Sequence, residues 1–310
     1  MKVGQRDVLR SRAHPVSNVA RRVHVQAPVR VAPQIHVLPR VERAQIKPIR
    51  HHLAAVEPNL TGVLRGTGRK KQSVAESSFD AWVKYYRQDE NASNAIVSYY
   101  TKGSLVALGL DLTIRTQTRG RRSLDDVMRG LWTRYGRDFY DGKQQGVPED
   151  EILAIMEELS GADLKRFHDR YIRGTEDVPL DDLLPAFGVA YEASVPVDAK
   201  PWLGARIGKE GGDAKLAAVY EGGPAMQAGL SAGDKLVAID GLRVPAAGPD
   251  GLLARYRFND TVRIHAFRRD ELMEFSLRLK SDTAPQVTLK PLAKPVAVLR
   301  QRQAWLNSGK

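Results

Sequence analysis

The 310-residue chain has no cysteine. That excludes disulfides and thiolate-held metal ions, and it leaves the compartment open. Aromatic side chains are missing before Phe79. Acidic residues are scarce over nearly the same stretch: residues 1–72 hold 15 Lys and Arg against only Asp7, Glu42 and Glu57, a net +12 that equals the charge of the whole chain. The remaining residues carry 33 charges of each sign. Basicity therefore belongs to one end and not to the folded body, so no nucleic-acid partner is expected. No run approaches the roughly 18 apolar residues of a membrane span, and the N-terminus lacks the apolar core of a secretory signal. As written, the chain is expected in the cytoplasm with no membrane partner.

What is present in the leader is valine, arginine, histidine and proline. "VHVQAPVRVAPQIHVLPRVERAQIKPIRHH" alternates Val and Ile with polar residues, but Pro28, Pro33, Pro39 and Pro48 break it. Each proline removes a ladder donor, so no central strand survives. Residues 1–58 are accordingly expected to be a disordered or non-native leader. A nucleic-acid arm would show stacking aromatics or a recognition helix. A metal site at His51-His52 would need i, i+4 spacing or an acidic partner.

From residue 59 the composition becomes that of a folded domain. Phe79, Trp82, Tyr85 and Tyr86 are spaced to share one helical face. "YYTKGSLVALGLDL" places Leu105, Leu108 and Leu112 on one face with Val106 and Leu110 on its flank, an arc wide enough for burial on most sides. "SLDDVMRGLWTRYG" has Ser123 as N-cap, two acids in the first turn and Gly136 as stop. "VPEDEILAIMEELSG" repeats this grammar between Pro148 and Gly161, and "ADLKRFHDRYIRG" buries Leu164, Phe167 and Tyr171. These segments read as helical hairpins in a bundle spanning residues 59–192. His168 beside Asp169 has two readings, a dyad or an ordinary helix-edge histidine.

Residues 193–201 read as a linker. Beyond it the apolar period changes from 3.6 to 2. "KLAAVYEGGPAMQAGLSAGDKLVAIDGLRV" gives strand, short helix and strand ending at the Asp240-Gly241 turn. "PDGLLARY" is a short helix, and "DTVRIHAFRRDELMEFSLRL" is a hairpin turning near Arg269-Asp270. This order, with "GGPAMQAGLSAGDKLVAIDG" at its centre, resembles a PDZ domain over residues 202–282, and "WLGA" at 202–205 resembles the family's carboxylate-binding loop. The resemblance implies Leu203, Gly204, Ala205 and Arg206 as peptide-binding residues and peptide or protein C-termini as partners. Gly204 lets backbone N–H groups converge on a carboxylate, and the strand after it offers an edge for β-augmentation. The alternative is a groove packed unoccupied against its neighbour. Residues 283–310 are left as a C-terminal tail.

Taken together, "SVAESSFDAWVKYYRQDENASNAIVSYYTKGSLVALGLDL", "RGTEDVPLDDLLPAFGV" and the PDZ pattern resemble the C-terminal half of the glycyl aminopeptidase-like zinc metallopeptidases, thermolysin-like enzymes with a C-terminal PDZ domain. The fold class implied is multidomain α + β, a helical bundle forming the peptidase's C-terminal lobe, followed by a PDZ domain. In related zinc aminopeptidases a Tyr-x-Lys-Gly motif supplies an oxyanion-stabilising hydroxyl, and here that motif is Tyr100-Thr101-Lys102-Gly103, which makes Tyr100 the site residue. Without the resemblance, Tyr99 and Tyr100 read equally as core aromatics. The chain departs from the family at the metal: His14, His24, His36, His51, His52, His168 and His265 include none followed by Glu and no pair four apart. The H-E-x-x-H site is therefore absent from this sequence, no zinc is expected in the chain, and it is expected to be inactive alone. A peptide-binding PDZ module without catalysis is the other reading.

Overall fold

The computed structural model describes residues 49–143, 145–195, 200–208, 212–292 and 296–306. The expectation for residues 1–48 lies outside the described residues, as do the side chains of His51 and His52. Helix α1 spans Ile49–Arg65. It begins inside the stretch read as leader, and its Leu53, Val56, Leu60 and Val63 are all buried. The spacing 3, 4, 3 makes one helical face, a signal that the leader's proline content obscured. Pro58 lies inside α1 on its exposed side; it takes one donor from the helix, while the buried face continues past it to Leu60 and Val63.

Helix α2 (Val74–Phe79) opens on a capping box in which the Glu76 N–H donates to Ser73 Oγ (3.1 Å) and the Ser73 N–H to Glu76 Oε2 (2.8 Å). It stops at Asp80. The expected continuous aromatic face is therefore corrected: Phe79 and Trp82 are 89% and 71% exposed, and Tyr85–Arg87 form a separate turn. A one-turn helix α3 (Ala92–Ala95) leads to the long helix α4 (Thr101–Gln117). Ahead of α4 the Ser98 Oγ accepts from the Thr101 N–H at 3.1 Å, which satisfies one of the free donors of the first turn.

The wide apolar arc of α4 is buried on two sides. Leu105, Leu108 and Leu112 pack with the α1 face, and Val106, Leu110 and Ile114 pack with Val127, Met156, Leu164, Phe167 and Tyr171. Each fully buried aliphatic contributes about 1.5–3 kcal/mol, so this helix anchors the lobe. Gly109 lets a loop approach it: a Cβ there would lie 2.2 Å from Val178 Cγ1. Helix α5 (Leu124–Leu131) has the expected Ser123 cap, with Ser123 N–H and Oγ both donating to Asp126 Oδ2 (2.8 and 2.9 Å). Helix α6 (Ile152–Ser160) ends at left-handed Gly161 as expected but starts four residues after Pro148. Short turns α7 (Lys165–Phe167) and α8 (Leu180–Leu183) complete this part.

The linker and tail are corrected by strand pairing. Strand β1 (Val189–Ser194) runs into the expected linker and pairs antiparallel with β10 (Gln286–Pro291) from the expected tail. The outer edge of β10 is covered by α1, since the Leu289 N–H donates to Glu57 Oε1 (2.7 Å) and the Val287 N–H to Thr61 Oγ1 (3.1 Å). Helix α11 (Val296–Leu306) then returns to the lobe, burying Trp305 edge-on to Phe187 at 5.7 Å. The far end of the chain thus completes the core of the domain read as helical.

Between β1 and β10 lies the second domain. Strands β2 (Pro201–Trp202) and β9 (Lys280–Ser281) pair at its neck. Strands β3 (Ala205–Gly208), β4 (Ala214–Val219), β5 (Lys235–Ile239), β6 (Leu242–Arg243), β7 (Thr261–Arg268) and β8 (Glu271–Arg278) form one antiparallel sheet in the order β3-β4-β5-β7-β8, with β6 on β5. Helices α9 (Pro224–Gln227) and α10 (Asp250–Leu253) fall where the sequence pattern puts them. Asp240 and Gly241 both have positive φ (47° and 78°) at the β5–β6 turn, and Arg269 (57°) turns the β7–β8 hairpin. Leu216, Ile239, Ile264 and Leu277 are fully buried at its centre. The molecule is a mixed α/β protein.

The two parts are also clasped away from the stalk. The carboxamide of Asn94, 4% exposed, donates through Nδ2 to the Val219 carbonyl (2.8 Å) and accepts from the Glu221 N–H (2.9 Å). Glu221 Oε2 also receives Thr67 Oγ1 (2.8 Å) and Lys71 Nζ (2.5 Å).

Candidate functional site

Tyr99 and Tyr100 precede α4, and Tyr85 and Tyr86 lie on the turn after α2. These two pairs meet. The Tyr86 hydroxyl lies 2.6 Å from that of Tyr100 and 2.9 Å from that of Tyr99. The Tyr99 and Tyr100 ring centroids lie 4.2 Å apart with the planes tilted by 31°, and Tyr85 packs against both while its own hydroxyl reaches Ser98 Oγ at 3.1 Å. Tyr100 is half-buried and Tyr86 is 50% exposed. Hydrogen bonds from Tyr86 and then Tyr99 hold the Tyr100 phenol below the usual tyrosine range. Burial, and then the bond to Tyr100, pushes Tyr99 above that range. The neutral form of Tyr100 is thus a good hydrogen-bond donor at the rim of the lobe.

Lys102 belongs to the same motif but not to the same place. It is 2% exposed, and its Nζ donates to the carbonyls of Arg69 (3.0 Å) and Thr175 (2.9 Å), with Asp177 Oδ1 at 3.6 Å. Burial, assisted by the nearby Arg69 guanidinium that pairs with Asp177, pushes its ammonium down to about 8. It lines a cleft of about 310 Å³ with Leu60, Leu105, Asp177 and Tyr191. The phenol at the helix mouth faces the tyrosine group, and the ammonium ties two loops together underneath.

In the second domain Leu203 is buried, and its carbonyl accepts from the Ala225 N–H (2.8 Å). Gly204 has φ +83°, and a Cβ there would lie 2.6 Å from Pro224 Cδ. Only glycine fits. Its carbonyl accepts from the Tyr220 N–H (2.9 Å), while its own N–H donates to no backbone carbonyl among the described residues. Ala205 and Arg206 start β3, which ends the sheet order and so has one unpaired edge in that sheet. Arg206 is exposed. His168 Nδ1 sits 3.5 Å from Asp169 Oδ1, a neighbour whose other oxygen Lys165 holds at 2.6 Å. Among the described residues no group of three or more His, Asp or Glu is placed to hold a metal ion. None of the described helices is long and apolar enough to cross a membrane.

Residues 40–106 match the M61 glycyl aminopeptidase family, and residues 216–252 match the PDZ domain. The chain joins an M61 glycyl aminopeptidase segment to a PDZ domain. The M61 match starts within the stretch read as leader and takes in α1, both tyrosine pairs and Lys102. The PDZ match begins after the Leu203–Arg206 loop. Among solved structures the chain is similar to an aminopeptidase N family protein from Idiomarina loihiensis, with 36% identity over 84% of this chain and a TM-score of 0.74. The chain spans 45% of the length of that protein. A serine endoprotease from Yersinia pestis (20% identity, 27% of this chain and 30% of that one, TM-score 0.23) and the HtrA-type protease AlgW with decapeptide (22%, 27% and 30%, TM-score 0.25) also match, too slightly to bear on the fold. No curated protein matches.

In the sequence the Tyr-x-Lys-Gly motif marks Tyr100, whereas helical spacing puts Tyr86 on a helix face. The signal that could have joined them is the repeated Tyr-Tyr dipeptide at 85–86 and 99–100.

Proposed function

We propose that this chain is the C-terminal part of an M61-type metallo-aminopeptidase, carrying the oxyanion-stabilising Tyr100 and a PDZ groove for peptide C-termini, and that it binds no zinc and hydrolyses no peptide by itself. The observation that supports it is the Tyr100 hydroxyl held by Tyr86 at the start of α4, inside the segment that matches the family. In the intact family zinc polarises the peptide carbonyl and activates water. The described residues of this chain do not offer a donor set for that ion. What they do offer is a preorganised phenol to donate to the carbonyl oxygen as it gains charge, a contact worth about 3 kcal/mol in comparable oxyanion sites.

In the PDZ domain the Gly204 amide and the open edge of β3 favour an extended peptide whose terminal carboxylate sits at the 203–206 loop and whose backbone extends the sheet. The purified chain should contain less than stoichiometric zinc by elemental analysis and release no N-terminal residue from glycyl peptides. It should bind a peptide with a free C-terminus and lose that binding on C-terminal amidation or in Gly204→Val. Tight stoichiometric zinc with steady turnover would overturn the catalytic half. Equal binding of free and amidated peptides would overturn the PDZ half.

A further inference from the structure

The four phenols at the mouth of α4 are arranged in more detail than packing asks for. Trp82 and Tyr86 are 71% and 50% exposed, so neither fills a core, yet their rings lie 5.2 Å apart and fix the Tyr86 side chain against Tyr85 (5.5 Å, edge-on). That support places one hydroxyl between two others. A hydroxyl has one proton to give and two lone pairs to receive with. Tyr86, at 2.6 Å from Tyr100 and 2.9 Å from Tyr99, can therefore donate to one and accept from the other. Tyr99 is the most enclosed of the three and the least able to carry charge, so it keeps its proton and donates it; directed at the Tyr86 oxygen 2.9 Å away, that one proton starts the chain. Tyr100, whose shift is opposite in direction, is the receiving end. The flanking charges do not compete for these hydroxyls, since Lys84 and Asp80 pair with each other at 2.5 Å.

We infer that Tyr86 is a positioning residue for Tyr100: a relay from Tyr99 through Tyr86 donates to the Tyr100 oxygen, fixes its hydroxyl in place and makes it a stronger donor to an incoming oxyanion. Hydrogen bonds in series polarise one another, which is why the middle hydroxyl matters more than its exposure suggests. The inference rests on the reading of Tyr100 given above.

The test is a pH titration of the full chain labelled with [ζ-13C]tyrosine, the Tyr100 resonance being identified by its loss in Tyr100→Phe. In the wild type Tyr100 should titrate below the ordinary phenol value of about 10. Tyr86→Phe should move it up toward that value, and Tyr99→Phe should move it in the same direction by less. The resonances of Tyr171 and Tyr191, distant in sequence and packed in other parts of the lobe, should stay put and so report an intact fold. A Tyr100 titration unmoved by Tyr86→Phe, with those resonances unchanged, overturns the relay and leaves the proposed role of Tyr100 standing. A Tyr86→Phe chain that loses its fold assigns the residue to packing and overturns the relay as well. The converse failure is separate: Tyr100→Phe without effect on hydrolysis by a chain supplied with its metal lobe would remove the oxyanion reading while the titration result held.

Discussion

Lys102 is the most deeply buried cation among the described residues, and its role follows from where its bonds go. An ammonium that is 2% exposed, with two carbonyls as acceptors, cross-links the turn at Arg69 to the loop at Thr175 beneath α4. Burial lowers its folded pKa to about 8 against an ordinary value of 10.5, so between those limits the unfolded chain holds a proton that the folded chain has released. Stability from this group therefore rises with pH across that window, by at most about 1.4 kcal/mol per unit. Urea unfolding of wild type and Lys102→Met should show the wild type gaining on the variant between pH 8 and pH 10. A constant difference would mean that the ammonium is not desolvated. The sequence made Tyr100 legible through its motif, but it left the division of labour between Tyr100 and Lys102 open. Two residues apart on one turn, they face different neighbours, and only packing decides which.

At the scale of elements, α4 was the best specified by its own residues. Its apolar positions surround most of the helix, and the structure buries them in two clusters. Gly109 shows what that burial demands. Glycine to alanine inside a helix ordinarily gains about 0.5–1 kcal/mol. At Gly62 on α1, where an added Cβ meets nothing within 4 Å, Gly62→Ala should show that gain. At Gly109 the added Cβ would lie 2.2 Å from Val178 Cγ1, so Gly109→Ala should instead cost about 1–3 kcal/mol. The double variant with Val178→Ala should recover most of the clash term in a thermal or urea denaturation cycle. By contrast the stretch after α2 misled the periodicity argument. Phe79 to Tyr86 have helical spacing, but the helix ends at Asp80 and the aromatics turn outward, beside the tyrosine group.

For the whole molecule, the PDZ domain is an insertion held on a stalk. Its entering and leaving chains pair as β2–β9 and β1–β10, and the last strand and helix return to cover α1 and Phe187. Strand β10 and helix α11 are thus part of the first domain's core and not a tail. Deleting residues 283–310 should remove the cover from Leu53, Val56 and Leu60 and leave β1 unpaired, giving an aggregating chain with weakened near-UV dichroism from the helical part. A soluble, fully cooperative truncated chain would contradict the insertion view. The Asn94 clasp works at the same scale: it fixes the loop that carries Tyr220, whose N–H holds Gly204, to the segment that leads into Tyr99 and Tyr100.

By itself the sequence determined the local grammar: where α4 and the PDZ elements lie, which glycine and serine residues punctuate them, and which tyrosine carries the family motif. Periodicity, caps and turn residues act over a few positions, so they can be read from a few positions. Tertiary structure alone decided that residues 49–58 belong to a packed helix, that the two ends of the first domain close on each other across the inserted one, and that Tyr86 reaches Tyr100. Each of these depends on contacts between segments far apart in the chain or on which side of a turn a ring falls, and neither distance nor side is written in a residue's neighbours.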